Sequence, residues 1–257
     1  MFVSNFVSAE SREIAKSLLG SDLSDYEVAR RSGVSRGTVQ RWRQIGVSAP
    51  TSSIPTDFNP EGWDLARQAK YAYLLGQYLG DGHIATNGKS LTLTISCDRK
   101  YPGVIDSVVD AIEVFSPRTA SINPVKGSGA TRVSSCWQAW PLFFPQHGPG
   151  SKLDRKIELV DWQETIVGEH PKELVRGLIH SDGSRCMNTF SMMLKDGPKE
   201  YSYPRYFFTN YSAGIQAIFC QACDRLEIRW SRSSWRNISI SHRDSVARLD
   251  EFVGPKC

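Results

Sequence analysis

A chain of 257 residues, 40% apolar and 23% charged, can bury a sizeable core and carry a small second module, yet it has no run of about 18 apolar residues to cross a bilayer as a helix. Its net charge of +4 is too mild to name a partner, so the placement of the charges has to. Six scattered cysteines and an N-terminus without a basic region and apolar leader imply reduced thiols in a cytoplasmic protein and exclude a disulfide framework.

The first predicted element is a helix over roughly Ala9 to Leu19. In DYEVARRSGVSRGTVQRWRQIG, residues 25–46, Val28, Ala29, Val34, Val39 and Trp42 recur at helical spacing on either side of a break at Ser32 and Gly33. Two short helices follow, the second N-capped by Ser35, with Ala29 and Gly33 small enough for a close crossing. The pattern resembles the helix-turn-helix of DNA-binding proteins. Five arginines and no acid lie between Val28 and Gly46. Arg36, Gln40, Arg41 and Arg43 flank the apolar stripe of the second helix, where they can read base edges or clamp phosphates, or form a solvated basic face. The module is assigned to residues 1–46, and the Pro-, Ser- and Thr-rich residues 47–64 to a linker.

Beyond the linker the chain repeats itself. AYLLGQYLGDGHI overlays ELVRGLIHSDGSR, matching Gly76 with Gly177, Asp81 with Asp182 and Gly82 with Gly183. Each copy ends a helical run, although a carboxylate at a helix C-terminus faces the negative end of the macrodipole. Strand-like sequence follows, SLTLTIS at 90–96 and NTFSMML at 188–194. Next come amphipathic helices near 102–115 and 212–228, further extended segments (TASINPV with TRVSSCW, IRWSRSS with RNISISH), and short final helices in WQAWPLFF and DSVARLDEFV. Cys220 and Cys223 form a CxxC inside the second amphipathic run, with no second ligand pair at zinc spacing.

Two G-x-x-x-x-D-G copies about one hundred residues apart, each followed by matching elements, resemble a double-motif LAGLIDADG protein, a family of homing endonucleases and derived proteins. The resemblance covers about residues 65–254. It implies an α+β fold of two pseudo-symmetric αββαββα halves (65–150 and 173–257, with a connector at 151–172) forming a DNA-binding saddle behind the small all-α module. It also implies that Gly76 and Gly177 let the motif helices touch. Asp81 and Asp182 then meet as catalytic groups and, with Gly80 and Ser181, as ligands of Mg2+ or another divalent ion. Metal binding would explain why two acids are tolerated at helix ends. The implied activity is metal-dependent, site-specific hydrolysis of double-stranded DNA by a monomer with internal pseudo-twofold symmetry, without a membrane partner and at the bacterial nucleoid. The alternative is a noncatalytic transcriptional regulator on the same scaffold.

The family pattern has an acid two positions before each aspartate, where this chain has Leu79 and His180. His180 is read as a satisfied interfacial histidine or a proton-transfer group. Lys89, Lys126, Arg185 and Lys195 follow the motifs as phosphate contacts or solvated charges. Arg229, Arg232 and Arg236 suit a surface tracking DNA phosphates. His147, Lys152, Arg155 and Lys156 of the connector form either a phosphate-facing patch or a solvated loop. The chain ends without the His-Asn pair of protein splicing.

Overall fold

A computed structural model describes residues 9–47, 55, 58–87, 90–195, 197–254 and 256. The chain divides into two compact units, Met1–Thr51 and Ser52–Cys257.

In the small unit, α1 (Ala9–Leu19), α2 (Asp25–Ser32) and α3 (Arg36–Ile45) close over Ala15, Val28, Val34, Val39 and Trp42. Ser24 and Ser35 precede α2 and α3, and each side chain accepts a first-turn N–H, from Glu27 and Thr38 respectively. Gly33 ends α2 at a φ of 71°, the left-handed conformation a β-carbon would strain.

The larger unit begins with α4 (Leu65–Asp81), capped by Asp64 through the Arg67 N–H. Phe58 and Trp63, inside the stretch read as linker, pack on this unit's core. Strands β1 (Gly82–Asn87) and β2 (Ser90–Asp98), helix α5 (Pro102–Glu113), strands β3 (Ser121–Pro124) and β4 (Ala130–Cys136) and the single turn α6 (Trp140–Phe143) complete a first half. A second half runs α8 (Pro171–Asp182), β5 (Gly183–Leu194), β6 (Gly197–Thr209), α9 (Ala213–Arg225), β7 (Ser231–Arg232), β8 (Asn237–Ile240) and α10 (Arg243–Phe252). The two four-stranded antiparallel sheets share one order, β1-β2-β4-β3 and β5-β6-β8-β7.

Alternation along the strands sets which face each sheet buries. Ile84, Leu93, Ile95 and Val133 of the first sheet, and Tyr206, Phe208, Ile238 and Ile240 of the second, join the core formed with the helices. Between the halves lies α7 (Asp161–Glu169), a helix within the stretch read as a connector. It buries Ile166 and Val167, and fully buried Gln163 donates to the Tyr71 hydroxyl at 2.6 Å. Cys220 and Cys223 lie buried on α9 as free thiols.

Candidate functional site

The site starts from the contact between α4 and α8. A β-carbon on Gly177 would stand 2.3 Å from the Tyr73 carbonyl oxygen, and one on Gly76 would stand 2.6 Å from that of Leu174. Only glycine permits backbones this close. One turn on, the helix ends are equally near: a β-carbon on Gly80 would lie 2.1 Å from the Ser181 hydroxyl and 3.0 Å from Asp182 Oδ2. The two motif aspartates therefore finish their helices side by side.

Their electrostatics follow from that convergence. Asp81 keeps access to solvent, but the protein packed around it and then the Asp182 charge raise its pKa to about 6, against the pull of Lys152 and Lys256. Desolvation likewise raises Asp182, opposed by the Asn210 amide, which donates to Asp182 Oδ2 at 2.6 Å, and by the same two lysines.

The lysines answer the question of how acids are tolerated at these helix ends. Lys152, half-buried, donates to the carbonyls of Tyr78, Leu79, Gly80 and Gly82 at 2.7–2.8 Å. Lys152 thus adds a cationic donor at the C-terminal end of α4, where the Gly82 N–H also reaches the Tyr78 carbonyl, and a cation there opposes the macrodipole. Desolvation holds the Lys152 pKa down to about 8. At the other helix end, Lys256 donates to the Gly183 carbonyl at 2.5 Å. Of the connector residues read as either a phosphate-facing patch or a solvated loop, Lys152 points inward and Arg155 is held by the Gln146 carbonyl at 2.9 Å.

His180 is a satisfied interfacial histidine. Its Nε2 meets the Val253 carbonyl at 3.0 Å, an acceptor only, so that nitrogen carries the proton. Nδ1 then accepts from the Tyr73 hydroxyl at 3.1 Å, which in turn receives the Gln77 amide at 3.0 Å. Burial, the largest cause, lowers its pKa to about 4. A cavity of about 240 Å³ opens beside it, lined by Asp81, Ser181, Lys256, Lys100 and Tyr101 among others.

Which of these groups could hold a divalent ion depends on their chemistry. Among the described residues no cluster of three or more His, Cys, Asp or Glu side chains is placed around a common point. The two carboxylates offer hard oxygens, and a magnesium-like ion habitually takes one or two carboxylates and completes its shell with water and phosphate. The pair fits that habit. The other expected ligands fit less well, because the Gly80 carbonyl already accepts from Lys152 and the Ser181 hydroxyl is turned back to the Gly177 and Leu178 carbonyls at 3.2 and 3.0 Å.

The sheet faces turned away from the helices differ in chemistry. On the first, the register groups His83 with Thr94 and Ser134, and Ser96 with Arg132, with Thr94 itself buried and paired to the Ser134 hydroxyl at 3.2 Å. On the second, Arg205 lies over the Phe207 ring and donates to Asn188 Oδ1 at 3.1 Å and Ser239 Oγ at 2.8 Å. Phe190, Tyr201 and Tyr203 pack beside one another on that face. Arg132, His83 and Arg205 were missed in the sequence, although the alternation of TRVSSC, with Val133 buried, places Arg132 outward.

The arginines expected to bind DNA are exposed, but several have intramolecular partners. Arg43 pairs with Asp25 at 2.8 Å and with the Leu23 carbonyl at 2.8 Å, which makes it a brace of the small unit. Arg229 meets His242 at 3.1 Å, Arg232 donates to Gln216 and the Trp235 carbonyl, and Arg236 donates to the Tyr211 hydroxyl. These last three stand around the short β7 and its turn, because IRWSRSS forms only a two-residue strand. Arg185, read as a phosphate contact or solvated charge, pairs with Asp250 through two bonds of 2.8 and 2.9 Å. Lys89 lies outside the described residues.

No family model matches the chain, and no curated protein matches it in sequence. Solved structures similar to it are LAGLIDADG proteins. The meganuclease I-AabMI bound to uncleaved DNA is 12% identical over 71% of this chain and 82% of its own, with a TM-score of 0.46. The I-DmoI complex with DNA and Mn is 14% identical over 74% and 98%, with a TM-score of 0.48. The N-terminal LAGLIDADG domain of DUF199/WhiA is 12% identical over 99% and 94%, with a TM-score of 0.46. No helix among the described residues is long and apolar enough to cross a membrane.

Proposed function

We propose that the chain binds double-stranded DNA along its two sheets and hydrolyses phosphodiesters at a divalent-metal site held by Asp81 and Asp182. The observation that carries this reading is the convergence of two carboxylates at the ends of helices packed glycine to glycine. Neither sequence half needs an acid there for folding, since each helix end is already supplied with a lysine. When bound, a divalent ion such as Mg2+ supplies Lewis-acid activation of water and of the phosphate. The protein's own part is to hold both carboxylates at one place, with Asn210 fixing the orientation of Asp182.

Target contacts fall to the outward faces of the sheets. His83, Ser134 and Arg132 offer donors and acceptors to base edges, and Arg205 offers a charge. In the small unit, Arg36, Gln40 and Arg41 on α3 are free for a second DNA contact of helix-turn-helix type, and Arg43 contributes by bracing that helix. With both halves in one chain, a monomer suffices.

A second reading, a noncatalytic DNA-binding regulator, is favoured by one observation: Lys152 already occupies the Gly80 carbonyl. Incubating wild type, Asp81→Asn and Asp182→Asn with a randomised duplex library in Mg2+, with binding and strand breaks scored separately and EDTA as control, divides the two. The nuclease reading requires metal-dependent breaks by wild type that either substitution removes or reduces to nicks. Selective binding by all three proteins without breaks establishes the regulator.

A further inference from the structure

We propose that Lys152 is an internal cation competing with a divalent ion for the carboxyl end of α4, so that the Asp81 side of the site takes up metal as Lys152 is drawn away. The inference rests on the metal-site reading above and adds a residue that opposes metal binding.

The geometry is that of an ion site filled by an ammonium. Four carbonyl oxygens, from Tyr78, Leu79, Gly80 and Gly82, surround Nζ at 2.7–2.8 Å. Three N–H groups cannot serve four acceptors singly, so at least one proton is shared. The ring of Tyr78 lies under the same nitrogen, 5.3 Å from its centroid. Residue 81, enclosed in sequence by these acceptors, carries one of the two carboxylates, and Gly80 lies against the other, close to Asp182 Oδ2. An ion shared by Asp81 and the Gly80 carbonyl would therefore sit next to a full positive charge in a partly desolvated pocket, where like charges repel strongly.

An exposed lysine capping a helix would not behave this way, because water would screen it. Lys152 is half-buried on a connector that packs inside the larger unit, with Ile157 five residues on only 2% exposed. What can draw it out is an anion better than four carbonyls, and a DNA phosphate entering beside Asp81 is such a group. Metal uptake then rises when duplex is present.

The test uses the full chain, Tb3+ luminescence and Mn2+ thermal shift, with Lys152→Gln, Lys152→Met, Asp81→Asn and the Lys152→Gln/Asp81→Asn double variant. Removing the ammonium is expected to tighten ion binding at least about tenfold, to enlarge the Mn2+ thermal shift, and to lose both gains in the double variant. The apo forms of both Lys152 variants are expected to melt earlier, since the α4 carbonyls lose their donor, and added Mn2+ restores the difference. Ion binding by wild type equal to that of the Lys152 variants, and abolished by Asp81→Asn, overturns the competition and leaves the carboxylate site standing. No Asp81-dependent ion binding in any variant overturns both. Lys152→Gln keeps an amide donor, so failure of Lys152→Met to fold leaves the comparison intact.

Discussion

Gly76 and Gly177 face one another so closely that a β-carbon on Gly177 would come within 3.1 Å of the Gly76 α-carbon, besides striking the Tyr73 carbonyl. Everything at the site depends on that approach, because it brings the ends of α4 and α8 together. Gly177→Ala should cost about 3 kcal/mol or more in denaturant unfolding, an overpacking cost against rigid backbone. Gly37→Ala is the control: Gly37 lies inside α3 with nothing within 4 Å of its added carbon. That change should be neutral or stabilise the small unit by up to about 1 kcal/mol.

The raised pKa of Asp81, about 6 against an ordinary 3.8, sets a direction for apo stability. A carboxyl raised on folding contributes stability that is complete below its unfolded pKa and lost as pH rises through the folded one. Asp81→Asn should therefore melt higher than wild type above pH 6 and no higher below pH 4. Asp81 keeps solvent access, so screening reduces the gain to about 1 kcal/mol. Calorimetry across that window reads it, and Mn2+ affinity should fall over the same interval as protons compete for the carboxylate.

His180 gives the opposite slope. Its pKa falls from 6.5 to about 4 on folding, so its contribution is present above pH 6.5 and lost as pH drops through about 4. The loss at low pH is about 2–3 kcal/mol, the fold having to charge an imidazole whose acceptor nitrogen is bound to Tyr73. In NMR titration the ring protons of His180 should keep the neutral imidazole shift down to about pH 5. A midpoint near 6.5 would contradict the Gln77–Tyr73–His180–Val253 chain.

In the small unit the arginines should separate by role. Arg43→Ala removes the contacts to Asp25 and the Leu23 carbonyl and should cost about 0.5–1 kcal/mol of stability. Arg36→Ala and Arg41→Ala should leave stability alone, weaken duplex binding, and each lower the salt dependence by about one phosphate contact. Equal effects of all three on binding, with no loss of stability at Arg43, would contradict this division.

Much of the architecture was legible because it is local. The cap at Ser35, the break at Gly33, the apolar spacing of α4, α5 and α9, and the repeated Gly-to-Asp spacing all act within one element, where periodicity records them. The Lys152 contacts were not legible, since a lysine in a Pro-Gly-Ser connector carries no sign of folding back on carbonyls 70 to 74 positions earlier. Lys256 reaching the Gly183 carbonyl has the same non-local character. IRWSRSS reads as an extended segment because arginines alternate there with strand-forming residues, while the ladder holds only Ser231 and Arg232. Helix α7 hid in a segment mixing acids with Trp162, Ile166 and Val167, and its burial comes from packing against both motif helices.

The most direct measurement of the central claim is anomalous diffraction from crystals of the chain with duplex DNA and Mn2+. The account predicts a manganese peak within coordination distance of carboxylate oxygens of both Asp81 and Asp182, absent from Asp81→Asn crystals. Manganese bound only elsewhere, or the two carboxylates turned to separate surfaces with DNA in place, would contradict it.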